Sequence, residues 1–122
     1  MTESVAGATR GIVIHINSDD PARLFGAYQS GANAIKVLGD DVQVNIVAQG
    51  GCVTGATHSY AGSSELENAL ADNSNVHIYL CALAVRAREI AKEDLIGDIK
   101  LAPTATALCA QRQFEGWAYV RP

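Results

Sequence analysis

Short runs dense in Val and Ile recur along this chain, each followed by a stretch of good helix formers, and that alternation leaves few folds open. Gly11-Ile-Val-Ile-His-Ile-Asn17 is the first such run, bounded by Gly11 and by Asn17-Ser-Asp-Asp20. Residues 42–48 form the second and residues 75–81 the third, with shorter runs at 99–102 and 117–120. Runs that are apolar on both faces belong to strands buried within a parallel sheet. Strands alternating with helices imply βαβ units, and right-handed crossovers then lay the helices on the faces of the sheet. The expected fold class is α/β, a three-layer α/β/α sandwich with a mostly parallel five-stranded sheet.

Helix boundaries are marked as well. Asp20 has the chemistry of an N-cap and Pro21 that of a first helical residue. Leu24, Tyr28, Ile35 and Leu38 follow at roughly helical spacing, and Gly39 offers the stop. Ser64-Glu-Leu-Glu67 reads as a capping box opening a helix through about residue 71. Residues 82–92 are mostly helix formers. Pro103-Thr-Ala-Thr106 leads a further helix to about residue 115, ended by Gly116.

At 122 residues the chain makes one domain. Residues 1–10 read as a flexible N-terminal segment and 11–122 as the domain. A net charge of −4, with nine scattered basic residues, lacks the clustered footprint of direct nucleic-acid binding. Residues 42–64 carry no charged side chain, yet glycines, Gln, Asn, His and hydroxyls interrupt them, so no membrane span is expected. The polar first ten residues lack the apolar stretch of a secretory signal, and a cytoplasmic location is expected.

Open parallel sheets bind ligands beyond the carboxyl ends of their strands. That rule gathers Asn17, Asp19 and Asp20, the segment 50–58, Cys81, Thr104 and Thr106. Cys52, Cys81 and Cys109 form no C-x-x-C and have no zinc spacing, so free thiols are expected and neither a metal nor a cofactor is implied. Cys81 closes a buried strand and abuts a helix start, where backbone N–H groups favour a thiolate. Arg86, about one turn on, would add positive potential. Cys81 is read equally well as a small buried hydrophobe, and Cys109, inside a helix, as core filler. Cys52 is a candidate second thiol facing Cys81, or its partner in a redox pair. Gly50 and Gly51, on the long segment 49–63, are candidates for anion binding through backbone amides, with His58 as an accompanying base or ligand. His15 and His77 lie within strands and read as structural.

The order of these segments resembles the DsrE/DsrF-like proteins, a group that includes the YchN-like proteins and the Tus sulfur-relay subunits. The resemblance spans residues 11–122. It rests on Ile12-Val-Ile-His-Ile16, Val44-Asn-Ile-Val-Ala-Gln-Gly50, the junction Val76-His-Ile-Tyr-Leu-Cys81 running on to Ile90, and the closing Phe114-Glu-Gly-Trp-Ala-Tyr-Val-Arg-Pro122. It implies a parallel five-stranded sandwich assembled as a homo-oligomer (a trimer or hexamer) or as a hetero-oligomer. It also implies a cysteine at the third strand-to-helix junction that carries sulfur as a persulfide between donor and acceptor proteins, a position that Cys81 matches. Where many members continue with a Gly-Asn-Thr-Leu-like stretch, this chain has Ala82-Leu-Ala-Val85. The other reading is a non-catalytic oligomeric scaffold or small-ligand module that works through the Gly-rich segment 49–63.

Overall fold

β-Branched residues seek the pleated, two-sidedly covered interior of a sheet, and the computed structural model, which describes residues 10–122, puts them there. In chain order the elements are β1 (Gly11–Asn17), α1 (Arg23–Leu38), β2 (Gln43–Gln49), a 3-10 segment (Gly50–Ala56), α2 (Ser63–Ala71), β3 (Val76–Cys81), α3 (Ala82–Ala87), a 3-10 turn (Lys92–Asp94), β4 (Lys100–Ala102), α4 (Ala105–Phe114) and β5 (Ala118–Val120). The strands form one five-stranded sheet in the order β4-β3-β2-β1-β5, and every pairing is parallel. No helix among the described residues is long and apolar enough to cross a membrane. Most of the expected N-terminal segment lies outside the described residues. Arg10, its last residue, pairs with Asp41 at 2.9 Å.

Strand order explains the layering. From β1 to β4 the chain steps across the sheet in one direction, so right-handed crossovers hold α1, α2 and α3 to one face. The step from β4 to β5 reverses direction across the whole sheet, and α4 is carried to the opposite face. Parity along the strands agrees. Gly31 of α1 sits against Val44 and Ile14, whereas Arg112 of α4 reaches Asn45 and Tyr79, one residue out of phase. The first face buries Ile14, Ile16, Val44, Ile46, Ala48, Val76, Ile78 and Leu80. At the β5 edge, Trp117 lies flat over Gly11, where a Cβ would fall inside the indole.

Helix starts depart from the sequence reading in two places. Asp20 caps a turn: its Oδ1 accepts from the Ala22 N–H at 3.0 Å, and α1 begins only at Arg23. The capping box at Ser64 does not form, because α2 starts a residue earlier behind Gly62. Glu67 has other work, its Oε2 accepting from the Gly97 N–H at 2.6 Å to hold the approach to β4. The helix expected over 82–92 stops at Ala87, and Glu89 turns the chain with φ 54°. By contrast, α4 carries a side-chain cap, Thr104 Oγ1 accepting from the Ala107 N–H at 3.0 Å.

Candidate functional site

Two neighbouring strands whose following helices leave toward opposite faces open a crevice at their carboxyl ends. In this sheet those strands are β3 and β4: α3 turns toward the 3-10 segment, and α4 crosses the other face. Cys81 ends β3 and pairs in register with Ala102, which ends β4. The cysteine singled out from sequence therefore stands at the one switch in the winding. It is 6 % exposed and serves as the extended residue before α3, with no side-chain capping bond of its own.

Register places its neighbours. Asn17 pairs with Gln49, and Ala48 pairs with Leu80, so the next residues, Gln49 and Cys81, stand side by side. Asn17, Gln49, Cys81 and Ala102 thus form one row along the carboxyl edge, all on the α4 face. One row back on β1, His15 bonds through Nε2 to Gln49 Oε1 and through Nδ1 to the Tyr119 hydroxyl, each at 2.6 Å. Deeper under α4, Arg112 donates from Nε to Asn45 Oδ1 at 2.7 Å and lies over the rings of Tyr79 and Trp117. A guanidinium packed on aromatics keeps its charge while shedding water.

The other candidates are placed differently. Arg86 is exposed and makes no ion pair among the described residues. Arg88, two residues on, is the arginine that leans toward this edge: it donates from Nη1 to Ala84 O at 3.5 Å and approaches Asp19 Oδ1 at 3.9 Å. The early end of α3 is what carries Arg88 there. Cys52 is fully buried, its thiol donating to Gln49 O at 3.1 Å. Burial pushes this thiol's pKa up, against smaller opposing effects from the Ser18 hydrogen bond and from Arg23 and Arg88. Burial likewise raises the pKa of Cys109. Both are poor nucleophiles at neutral pH, since the thiolate is the reactive form. All three cysteines are free.

Segment 49–63 is a packed element more than an open loop. Gly50 adopts φ 80°, and a Cβ there would sit 2.8 Å from the Ser18 carbonyl oxygen, so only glycine lets β2 turn this close to the β1–α1 connection. Two of the amides that would cradle an anion are occupied. Gly51 N–H donates to Asp19 Oδ1 at 3.2 Å, and Cys52 N–H to Ser18 O at 2.8 Å. His58 lies exposed past the 3-10 stretch, tied through its backbone to Asp94 O, and no bond joins its ring to Cys81 or to the glycines. Among the described residues no three His, Cys, Asp or Glu side chains converge as a metal set. A groove of about 850 Å³ runs along α1 beside Phe25, Tyr28, Lys36 and Asn73, and holds none of the sequence candidates.

Sequence reading missed the group formed by His15, Gln49 and Tyr119. Its signal was the period-two placing of polar residues: His15 and Asn17 in β1, Asn45 and Gln49 in β2, His77 and Tyr79 in β3.

No protein-family model and no curated protein matches the chain. Solved structures do. The protein of unknown function MTH1491 from Methanobacterium thermoautotrophicum is 27% identical, superposes with a TM-score of 0.76, and aligns over 93% of this chain and 99% of its own. The ychN protein from E. coli, 16% identical, superposes with a TM-score of 0.72 over the same shares. The likeness to the YchN/DsrE-like group read from strand order and junction is borne out by these neighbours.

Proposed function

We propose that this YchN-like chain is a sulfur carrier, in which Cys81 takes up sulfane sulfur as a persulfide and hands it to the thiol of a partner protein. The observation that carries this reading is the place of Cys81: the end of β3, at the switch between α3 and α4. Loading is an exchange with no net redox change. The Cys81 thiolate attacks the outer sulfur of a donor R–S–SH, the donor's S–S bond breaks, and R–S⁻ leaves and takes up a proton. Discharge repeats the step. The acceptor thiolate attacks the outer sulfur, and Cys81 leaves as its own thiolate. The thiol is shielded at 6 % exposure, and the added sulfur extends its reach by one S–S bond, about 2 Å.

Cys52 and Cys109 do not serve as carriers in this scheme, because burial keeps both protonated. The alternative reading, with segment 49–63 as the working surface, has less support because the Gly51 and Cys52 amides are already bonded within the protein. Assembly with further copies of the chain is part of the proposal. The β5 edge and Phe114, 82 % exposed, offer surface for it, and sedimentation of a lone monomer at micromolar concentration would count against it.

Peptide mass spectrometry after exposing reduced protein to inorganic polysulfide tests the main claim. A gain of one sulfur atom on Cys81, absent from Cys81→Ser, is expected. No gain on Cys81, or equal labelling of Cys52 and Cys109, would remove the carrier reading.

A further inference from the structure

The group His15, Gln49 and Tyr119 has a definite hydrogen-bond polarity. Gln49 Oε1 is an acceptor only, so the His15 Nε2 facing it at 2.6 Å carries a hydrogen whatever the charge on the ring. In the neutral imidazole Nδ1 is then bare and accepts the Tyr119 hydroxyl proton, also at 2.6 Å. Both bonds are made by side chains brought together from β1, β2 and β5, 34 and 104 residues apart in sequence. Their effect is to hold the carboxamide of Gln49 by its oxygen.

That leaves the amide nitrogen. Gln49 Nε2 has no protein acceptor among the described residues, and no buried side-chain nitrogen or oxygen there lacks a partner. The two N–H donors of Gln49 therefore open onto accessible space at the carboxyl edge. Cys81 is the next residue along that row, one strand over and on the same face. Side chains so placed have Cβ atoms about 5 Å apart, within the span of a glutamine hydrogen bond.

We propose that Gln49 donates its free side-chain N–H to the sulfur held on Cys81, and that His15 and Tyr119 are positioning residues that aim it. This rests on the reading of Cys81 as a sulfur carrier and adds the group that tunes it. A hydrogen bond to an anion is stronger than one to a neutral group. During discharge the S–S bond breaks and the electron pair comes to rest on Cys81 Sγ, where the same N–H stabilises the departing thiolate.

The isosteric variant Gln49→Glu separates this role from packing. It keeps an oxygen for His15 Nε2–H and replaces the free N–H donors with a second oxygen. The experiment loads wild type, Gln49→Glu, Gln49→Leu and Tyr119→Phe with inorganic polysulfide. Discharge to 2-mercaptoethanol is then followed by mass spectrometry across pH, with thermal melts confirming that each variant is folded. Discharge from Gln49→Leu should slow about tenfold, the scale of a lost bond to a charged group. Gln49→Glu should slow at least as much at neutral pH and recover as the pH falls and its carboxyl gains a proton, a profile wild type does not show. Tyr119→Phe should slow about threefold, since His15 Nδ1 loses only its orienting donor. Wild-type discharge rates in folded, loaded Gln49→Leu and Gln49→Glu would overturn the role of Gln49 and leave the carrier reading standing. Failure of wild type itself to load on Cys81 would overturn both.

Discussion

The two faces of the sheet are built on opposite terms. Under α1, α2 and α3 every inward strand position is aliphatic: Ile12, Ile14 and Ile16 on β1, Val44, Ile46 and Ala48 on β2, Val76, Ile78 and Leu80 on β3. Under α4 the alternate positions include His15, Asn17, Asn45, Gln49, His77, Tyr79 and Cys81. The cause lies in the winding. Three crossovers run one way and cover the first face, and a single reversed crossover leaves a ten-residue helix to cover the second. A face with ample cover is best filled with hydrocarbon. Polar groups are tolerated where cover is thin, provided each finds a partner. The lesson is that one face holds the fold and the other is free to carry chemistry.

Substitutions that trade one face against the other test that division. The largest effect is expected at Ile46, fully buried on the aliphatic face. Ile46→Ala should cost about 3 kcal/mol in denaturant melts, whereas His15→Ala, on the other face, should cost about 1 kcal/mol. Equal losses would break the comparison. Next comes Arg112, the polar pin of the thinly covered face. Arg112→Leu should cost about 2 kcal/mol, part of it from leaving Asn45 Oδ1 without its donor. The double variant Arg112→Leu with Asn45→Val should regain some of that loss, since both halves of the polar pair are then gone.

A smaller effect follows from the buried thiols. Their pKa values in the folded chain lie above the ordinary 9.0. As pH rises past that value, the unfolded chain releases these protons while the folded chain keeps them. Stability should accordingly be complete below about pH 9 and fall as pH climbs through the folded-state values. Melts between pH 8 and about pH 10 should show a shallower decline for Cys52→Ala than for wild type. An unchanged slope would mean that Cys52 is less shielded than its place under α1 suggests. The smallest effect is expected at the amino edge, away from both faces. Arg10→Ala, which opens the solvent-facing pair with Asp41, should cost under about 1 kcal/mol and lose what effect it has at high salt.

Strand positions were legible because local chemistry decides them. β1 falls on Gly11–Asn17 as its β-branched run implies, and β2 lies one residue from the expected span. Cys81 was legible too, because a strand end followed by helix formers is a local pattern. What stayed hidden depends on partners distant in sequence. Ser64 and Glu67 have the right spacing for a cap, yet Glu67 is drawn off by Gly97, thirty residues away. Arg86 follows Cys81 at helical spacing, but α3 ends early and Arg88 is the arginine that approaches Asp19. The bonds from His15 to Gln49 and Tyr119 require the register of three strands, and no single segment carries that information.

Trp117 is the chain's sole tryptophan, and its indole packs on Gly11 and beneath the Arg112 guanidinium, which lies 5.1 Å from the ring centre. Its fluorescence is thereby a gauge of one half of the molecule. Emission will respond when β5 and α4 lift from the sheet and will be blind to slippage beneath α1. Set against far-ultraviolet circular dichroism, which sums all helices, an earlier optical transition at Trp117 would register the α4 half opening as its own cooperative unit.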